Sequence, residues 1–243
     1  MPGFLNCIGC SRKNKRSNMN LLFERNTELY KLNQRRIGQF KKFIESSDDD
    51  EEKGMLSTFP LIEEMNNLWF FTLDSQAGNK DTFEQDGNKY TTEERSYVTG
   101  FMPSIIYEKF EEKFASCPNQ ILYKMDVTRD EPDVELTRVE TINEKGEITS
   151  EIQSFEPGKI TQDVIDNYLE MFNNIDQEAY GGGIDGLELN INEWVGVTIA
   201  DLRWNHHSTK KDSVFRCIIN ALANVIRTPK KGGKFKKSRK RRN

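Results

Sequence analysis

Histidine is nearly absent from this chain: 243 residues hold two, the adjacent His206 and His207. A general base of near-neutral pKa is therefore scarce. Set among Asn205, Ser208 and Thr209, the pair reads as an exposed turn ahead of a helix. Cysteine is sparse too, at four. Cys7 and Cys10 make one C-x-x-C without the second pair that a four-ligand zinc site needs. Cys117 and Cys217 sit among apolar neighbours and read as buried thiols. Such usage fits a reducing compartment rather than a disulfide-built secreted domain. No run approaches the ~20 apolar residues that span a bilayer. Residues 1–10 lack the basic and long apolar regions of a signal peptide, and Pro2 stands where N-myristoylation requires Gly. No Walker loop, G-x-G-x-x-G, H-E-x-x-H or G-x-S-x-G occurs. The expectation is a non-enzymatic protein with no resident cofactor or metal.

What the chain does have is charge, sorted by position. The net charge of -4 conceals three zones. Residues 11–42 carry ten Lys or Arg against two Glu, a local +8. Residues 43–226 carry fifteen basic and thirty-seven acidic side chains, or -22. Residues 227–243 carry ten basic residues and no acid, or +10. An acidic body should repel a polyanion that its C-terminal segment should attract.

Periodicity divides the chain further. Residues 1–19 show no core pattern and are expected to be flexible. Residues 20–45 read as one amphipathic helix, with Leu21, Leu22, Leu29, Leu32, Ile37, Phe40, Phe43 and Ile44 recurring at three- and four-residue steps. Its basic face (Arg25, Lys31, Arg35, Arg36, Lys41, Lys42) suits solvent, a phosphate backbone or a protein partner. The acidic run in 46–57 reads as a linker. Residues 58–226 are expected to form a single α/β domain with a mixed sheet and flanking helices. Within it, Pro60 opens a short helix, Trp69–Asp74 begins as a continuous apolar run that predicts a central strand, and 78–92 read as a loop. Further strands are predicted at 95–101, 120–127 and 194–201, a hairpin over 134–142 and 147–154, and helices after Pro103, Thr161 and Asp212, the last capped by Asp212. Gly181–Gly183 read as a loop.

The segment Thr72-Leu73-Asp74-Ser75-Gln76-Ala77-Gly78 places hydroxyls and an amide where an apolar strand ends, a common place for ligands in α/β sheets. Equally, such side chains can tie down the loop through local backbone bonds. Glu64–Gly78, then Glu94-Arg95-Ser96-Tyr97-Val98-Thr99-Gly100-Phe101, then Val197-Thr198-Ile199-Ala200-Asp201 and the closing amphipathic helix follow one another in an order that resembles the C-terminal regulatory domain of eukaryotic methylenetetrahydrofolate reductase. The resemblance covers about 58–226. Similar stand-alone domains are familiar from large DNA viruses and bacteria, which would place the protein in a virion or in host cytoplasm or nucleus. The regulatory domain binds S-adenosylmethionine without chemistry, and its ligand-contacting positions fall on Thr72, Ser75 and Thr198. Three departures stand against a retained ligand: Asp74 replaces Asn, Ala77 replaces Pro, and the Glu-Thr pair ahead of the first strand has no match in 54–66.

Pro229 stops the last helix, and the composition of 227–243 offers nothing to bury, so this basic tail is expected to be disordered. Lys230, Lys231, Lys234, Lys236, Lys237, Arg239, Lys240, Arg241 and Arg242 are its candidate contacts to nucleic acid. They could neutralise phosphates without reading bases, serve as a nuclear-import signal, or clamp an acidic protein surface.

Overall fold

The computed structural model describes residues 18–48, 54–125, 134–155 and 193–226, together with 163, 166 and 167. Within these, the chain is mixed α/β with two four-stranded sheets, and every strand pairing is antiparallel. Helices α1 (Asn18–Arg25) and α2 (Thr27–Ser46) precede α3 (Phe59–Asn67). Strands β1 (Phe71–Gln76), β2 (Lys80–Gln85), β3 (Asn88–Glu94) and β4 (Tyr97–Pro103) follow, then α4 (Ser104–Phe114). Next come β5 (Gln120–Met125), β6 (Val134–Ile142), β7 (Ile148–Phe155), β8 (Trp194–Asp201) and α5 (Val214–Ile226). The first sheet has the order β1-β4-β8-β5, the second β2-β3-β6-β7.

The first sheet carries the core. Strands β4 and β8 are buried along their whole lengths. Helix α5 packs against both α3 and α4 and lies on β4 and β8. Val98, Met102, Val197, Ile199, Phe110, Phe215, Ile218 and Leu222 are all inaccessible or nearly so. Strand β1 is an edge strand, not the central one its apolar start predicts. Its first residues are apolar because other elements close over them. Trp69 stacks on Phe23 and Tyr30 of the N-terminal helices at 4.7 and 4.9 Å, and Phe71 packs on Trp194 and Phe101 at 5.5 and 5.8 Å. Gly100 stands opposite the β1 bulge at Leu73, where a Cβ would run into the Phe71 carbonyl.

The predicted single helix over 20–45 is two. They part at Asn26, whose φ of -102° and ψ of 20° depart from helical values while its backbone and side-chain amides both donate to the Leu22 carbonyl (3.0 Å each). Phe23 of α1 stacks on Trp69, and Leu29, Leu32, Ile37 and Ile44 of α2 join the main core. Leu21 and Phe43 lie off that face, exposed.

Residues 78–92, read as a loop, form most of a hairpin. Asp86 and Gly87 have φ of 51° and 76°, the two left-handed positions of a type I′ turn. The alternation was missing because β2 is exposed at every residue, so neither face needed apolar side chains. The predicted hairpin over 134–154 is present as β6 and β7. The predicted helix after Thr161, Gly181–Gly183 and the basic tail lie outside the described residues.

Phe71 is fully buried among Trp69, Phe101 and Trp194. Phe71→Ala should therefore cost about 3–5 kcal/mol of stability. Urea unfolding of both proteins measures it, and an unchanged midpoint would mean this aromatic cluster does not hold the edge strand.

Candidate functional site

Two polar places and one connecting loop gather the side chains that the sequence nominates. The first is at the start of β1. Asn66, fully buried at the end of α3, donates from Nδ2 to the Ile62 carbonyl (2.8 Å) and to Thr72 Oγ1 (2.9 Å). Its Oδ1 accepts from Asn33 Nδ2 of α2 (3.0 Å) and from the Thr72 amide (3.2 Å). Both amide hydrogens and both carbonyl lone pairs are thus used. Thr72 therefore ties β1 to α3 and α2. Arg36 of α2 donates to the Thr72 carbonyl at 2.6 Å. Beside this tie lies a cleft of about 150 Å³, lined by Arg36, Phe40, Met55, Thr72, Asp74 and Ser75 among others.

The second place is on the opposite face. Thr72 pairs with Gly100 and Ser75 with Val98, whereas Thr198 pairs with Thr99, which pairs with Asp74. Paired residues share a face and neighbours along a strand alternate. The structure brings Thr72 and Ser75 together and puts Thr198 on the other side of the sheet. There Thr198, inaccessible to solvent, shares a hydrogen bond with Thr99 (2.9 Å). On the same face the Tyr97 hydroxyl donates to Asp74 Oδ2 (2.6 Å). Burial first, then the hydrogen bond and charge of Asp74 and the charge of Glu94, push the phenol well above its ordinary value.

The loop from β8 to α5 contains both histidines, and it is not the exposed turn expected. Asp201 ends β8 with no accessible surface. Arg203 donates to it from its backbone amide (2.9 Å), Nε (3.0 Å) and Nη2 (2.9 Å), and reaches Asp212 from Nη1 (2.6 Å). His206 lies between the same two carboxylates, Nδ1 at 3.3 Å from Asp201 and Nε2 at 3.2 Å from Asp212. The hydrogen bond to Asp201 is the largest influence holding the Arg203 guanidinium above its ordinary value, and Arg203 in turn draws the Asp212 carboxyl below its own. Asp212 therefore does not cap α5. Ser213 stands immediately before the helix, with Oγ accepting from the Arg216 amide (3.4 Å) and donating to the Ser208 carbonyl (2.5 Å). His207 is pulled below its usual value by burial and then by the Lys210 charge.

The same loop fastens the second sheet to the first. Ser96 is fully buried between β3 and β4. Its hydroxyl accepts from the Gly78 amide (2.9 Å) and donates to the His206 carbonyl (2.5 Å), while its carbonyl accepts from the Asp201 amide (2.8 Å). Gly78 is glycine for want of space: a Cβ would lie 2.9 Å from the Ser96 amide and hydroxyl. The guanidinium groups of Arg95 and Arg138 lie over the Trp204 ring at 4.1 and 5.1 Å. Glu93 accepts from Lys80 (3.0 Å), Asn205 (2.7 Å) and Arg138. Sequence reasoning missed Ser96, Arg203 and Trp204. The one cue, a buried strand ending in Asp and running into Arg-Trp-Asn, has meaning only once the partners are adjacent.

Asp201, His206 and Asp212 hold a loop, and Asp74 holds a tyrosine. Among the described residues, no group of three or more His, Cys, Asp and Glu side chains is placed to hold a metal ion, and no helix is long and apolar enough to cross a membrane. No protein-family model matches the chain, and no curated protein matches it either. Of the tail lysines and arginines, from Lys230 to Arg242, none is among the described residues.

Removing the buried Asp201 carboxylate takes away the acceptor of the Arg203 backbone amide, Nε and Nη2. Asp201→Ala should cost about 2–3 kcal/mol, below the usual 3–5 for a broken buried pair because Arg203 is partly solvated. Denaturant midpoints measure this, and a loss under ~0.5 kcal/mol would show that the loop closes without the carboxylate.

Tyr97 makes a pH prediction. Its value in the fold lies above the unfolded value of about 10, so the stabilisation is complete below pH 10 and drains away as pH rises past it. Tyr97→Phe should lose about 1–2 kcal/mol at pH 8. The gap to wild type should narrow above pH 10 in paired urea titrations. A gap that stays constant would contradict the shifted phenol.

Proposed function

We propose that this chain is a non-catalytic structural or packaging protein, a virion component, whose basic segment 227–243 contacts nucleic acid or an acidic partner surface. Charge segregation carries the reading. Ten cations without one acid begin directly after α5 ends at Ile226, behind a body region of -22. A polyanion repelled by that region is still accessible to a segment leaving it, since the Debye length is only about 8 Å at physiological salt. The use of Asp201, His206 and Asp74 as structural ties supports a binding role over a catalytic one. The viral setting rests on the resemblance described above.

A second reading, a small-ligand module of the S-adenosylmethionine type, is favoured by the cleft at Thr72 and Ser75. Its volume of about 150 Å³ is small beside the ~300–1,000 Å³ typical of such ligand sites. Thr198 lies across the sheet from it, so this reading is subordinate.

Full-length protein should bind a labelled 20-mer DNA or RNA without sequence preference, and a 1–226 truncation far more weakly. If about six phosphates are neutralised, affinity should fall on the order of 10³-fold between ~50 and ~200 mM salt. Fluorescence anisotropy of both proteins at the two salt concentrations decides the matter. Equal binding by the truncated chain, or binding indifferent to salt, would move the contact to the folded body. Parallel titration with S-adenosylmethionine tests the second reading.

A further inference from the structure

The second sheet has two open edges among the described residues, β2 and β7, and they are built differently. An edge strand presents a row of backbone N–H and C=O groups to any strand that can pair with them, and charge, proline or a bulge is the usual guard. Three of the six residues of β2 are charged: Lys80, Asp81 and Glu84. The eight residues of β7 hold one charge, Glu151, and no proline. The bulge in the β6–β7 hairpin is on β6, where Leu136 is the extra residue opposite Ser154 and Gln153, so β7 itself runs regular. From Ile148 to Ser154 every residue is exposed, Ile148 at 67 % and Ile152 at 47 %. Side chains alternate along a strand, so these two isoleucines share one face. Ile142 pairs with Ile148 within the hairpin and continues the apolar row onto β6.

We propose that β7 is an interface with a second copy of this chain, pairing antiparallel with its own counterpart about a two-fold axis at Ser150. Antiparallel strands related by such an axis pair in registers centred on a residue, because the groups directed outward belong to alternate residues. Centred on Ser150, Ile148 of each copy lies opposite Ile152 of the other, Thr149 opposite Glu151, and Ser150 opposite itself. Each pair is matched in chemistry. The isoleucines cover one another, the threonine hydroxyl can donate to the carboxylate, and the serine hydroxyls can bond across the axis. Moving the axis one residue in either direction sets Glu151 against Glu151 or against Glu147, like charges directly opposed. The strand thus specifies both its partner and its register. The pairing joins the two four-stranded sheets into one continuous sheet. It closes at two copies, because the outer edges are then the charged β2 strands.

Sedimentation equilibrium of the full-length chain reads the outcome, in about 300 mM salt so that the basic segment is screened from the acidic body of a second copy. The weight-average mass should rise from 28.3 kDa toward twice that value, with half-association on the order of 10–100 µM for a seam of one strand per copy. Ile148→Lys and Ile152→Glu each set a charge against isoleucine twice across the seam, and each should weaken association about tenfold or more. Mixed in equal amounts, the two variants should associate again. In the mixed pair the lysine meets the glutamate once and the native isoleucines meet once. Both positions are exposed, so neither change opens the core. In the unmutated protein, amide exchange in β7 should slow as concentration rises while that in β2 stays constant; this reading stands even if a variant fails to fold. A mass of one copy throughout, a mass passing beyond two copies, variants that stay apart when mixed, or slowed exchange at β2 instead of β7 would overturn the proposal.

Discussion

The fold depends on how the chain passes between two sheets. It leaves the first sheet after β1, returns to it at β4, leaves it again after β5 and returns at β8, with three residues at the first crossing and two at the second. Backbone groups that step out of one ladder before entering another lose their partners, and buried they would each cost a hydrogen bond. Here the crossings are laid side by side, so that each satisfies the others. Gly78 donates to Ser96, Ser96 donates to His206 and accepts from Asp201, and Asn205 donates to Glu94. The close approach forces glycine at 78, and the buried hydroxyl needs a residue as small as serine at 96.

The charged side chains around it are arranged for the same purpose. Asp201, with no accessible surface, would be costly alone. It is held by three donors of Arg203, which also reaches the solvent-facing Asp212. Glu93 has a comparable set of donors, and the Trp204 ring beneath two guanidinium groups covers the junction from the second sheet. Buried charges of this kind are weak evidence of net stabilisation, but they specify one arrangement, because any other would leave a carboxylate unpaired.

Much of the first sheet was legible. The runs at 95–101 and 194–201 announced strands, which the fold sets at 97–103 and 194–201 and buries along their length, and the spacing of Val214, Phe215, Ile218, Leu222 and Val225 announced the last helix. The second sheet was half legible. Its β6–β7 hairpin was marked by flanking β-formers around Asn143–Gly146. Its β2–β3 hairpin was hidden by a wholly exposed strand, and the Asp-Gly turn alone pointed to it. The edge position of β1 was misread for the reverse reason. Aromatic packing from α1 and α2 makes an edge as apolar as a centre.

By itself, the sequence determined the α/β class, the separation of charge into an acidic body and basic ends, and most elements whose apolar period is local. It did so because burial on one face and repulsion between like charges are written in residues near one another. Only the tertiary structure decided what the polar side chains do. Thr72 completes the Asn66 network, Thr198 shares a hydrogen bond with Thr99 on the neighbouring strand, and His206 lies between two carboxylates. Each of these depends on a partner between five and ninety-nine positions away. A hydrogen bond is set by a few tenths of an ångström that no local pattern encodes.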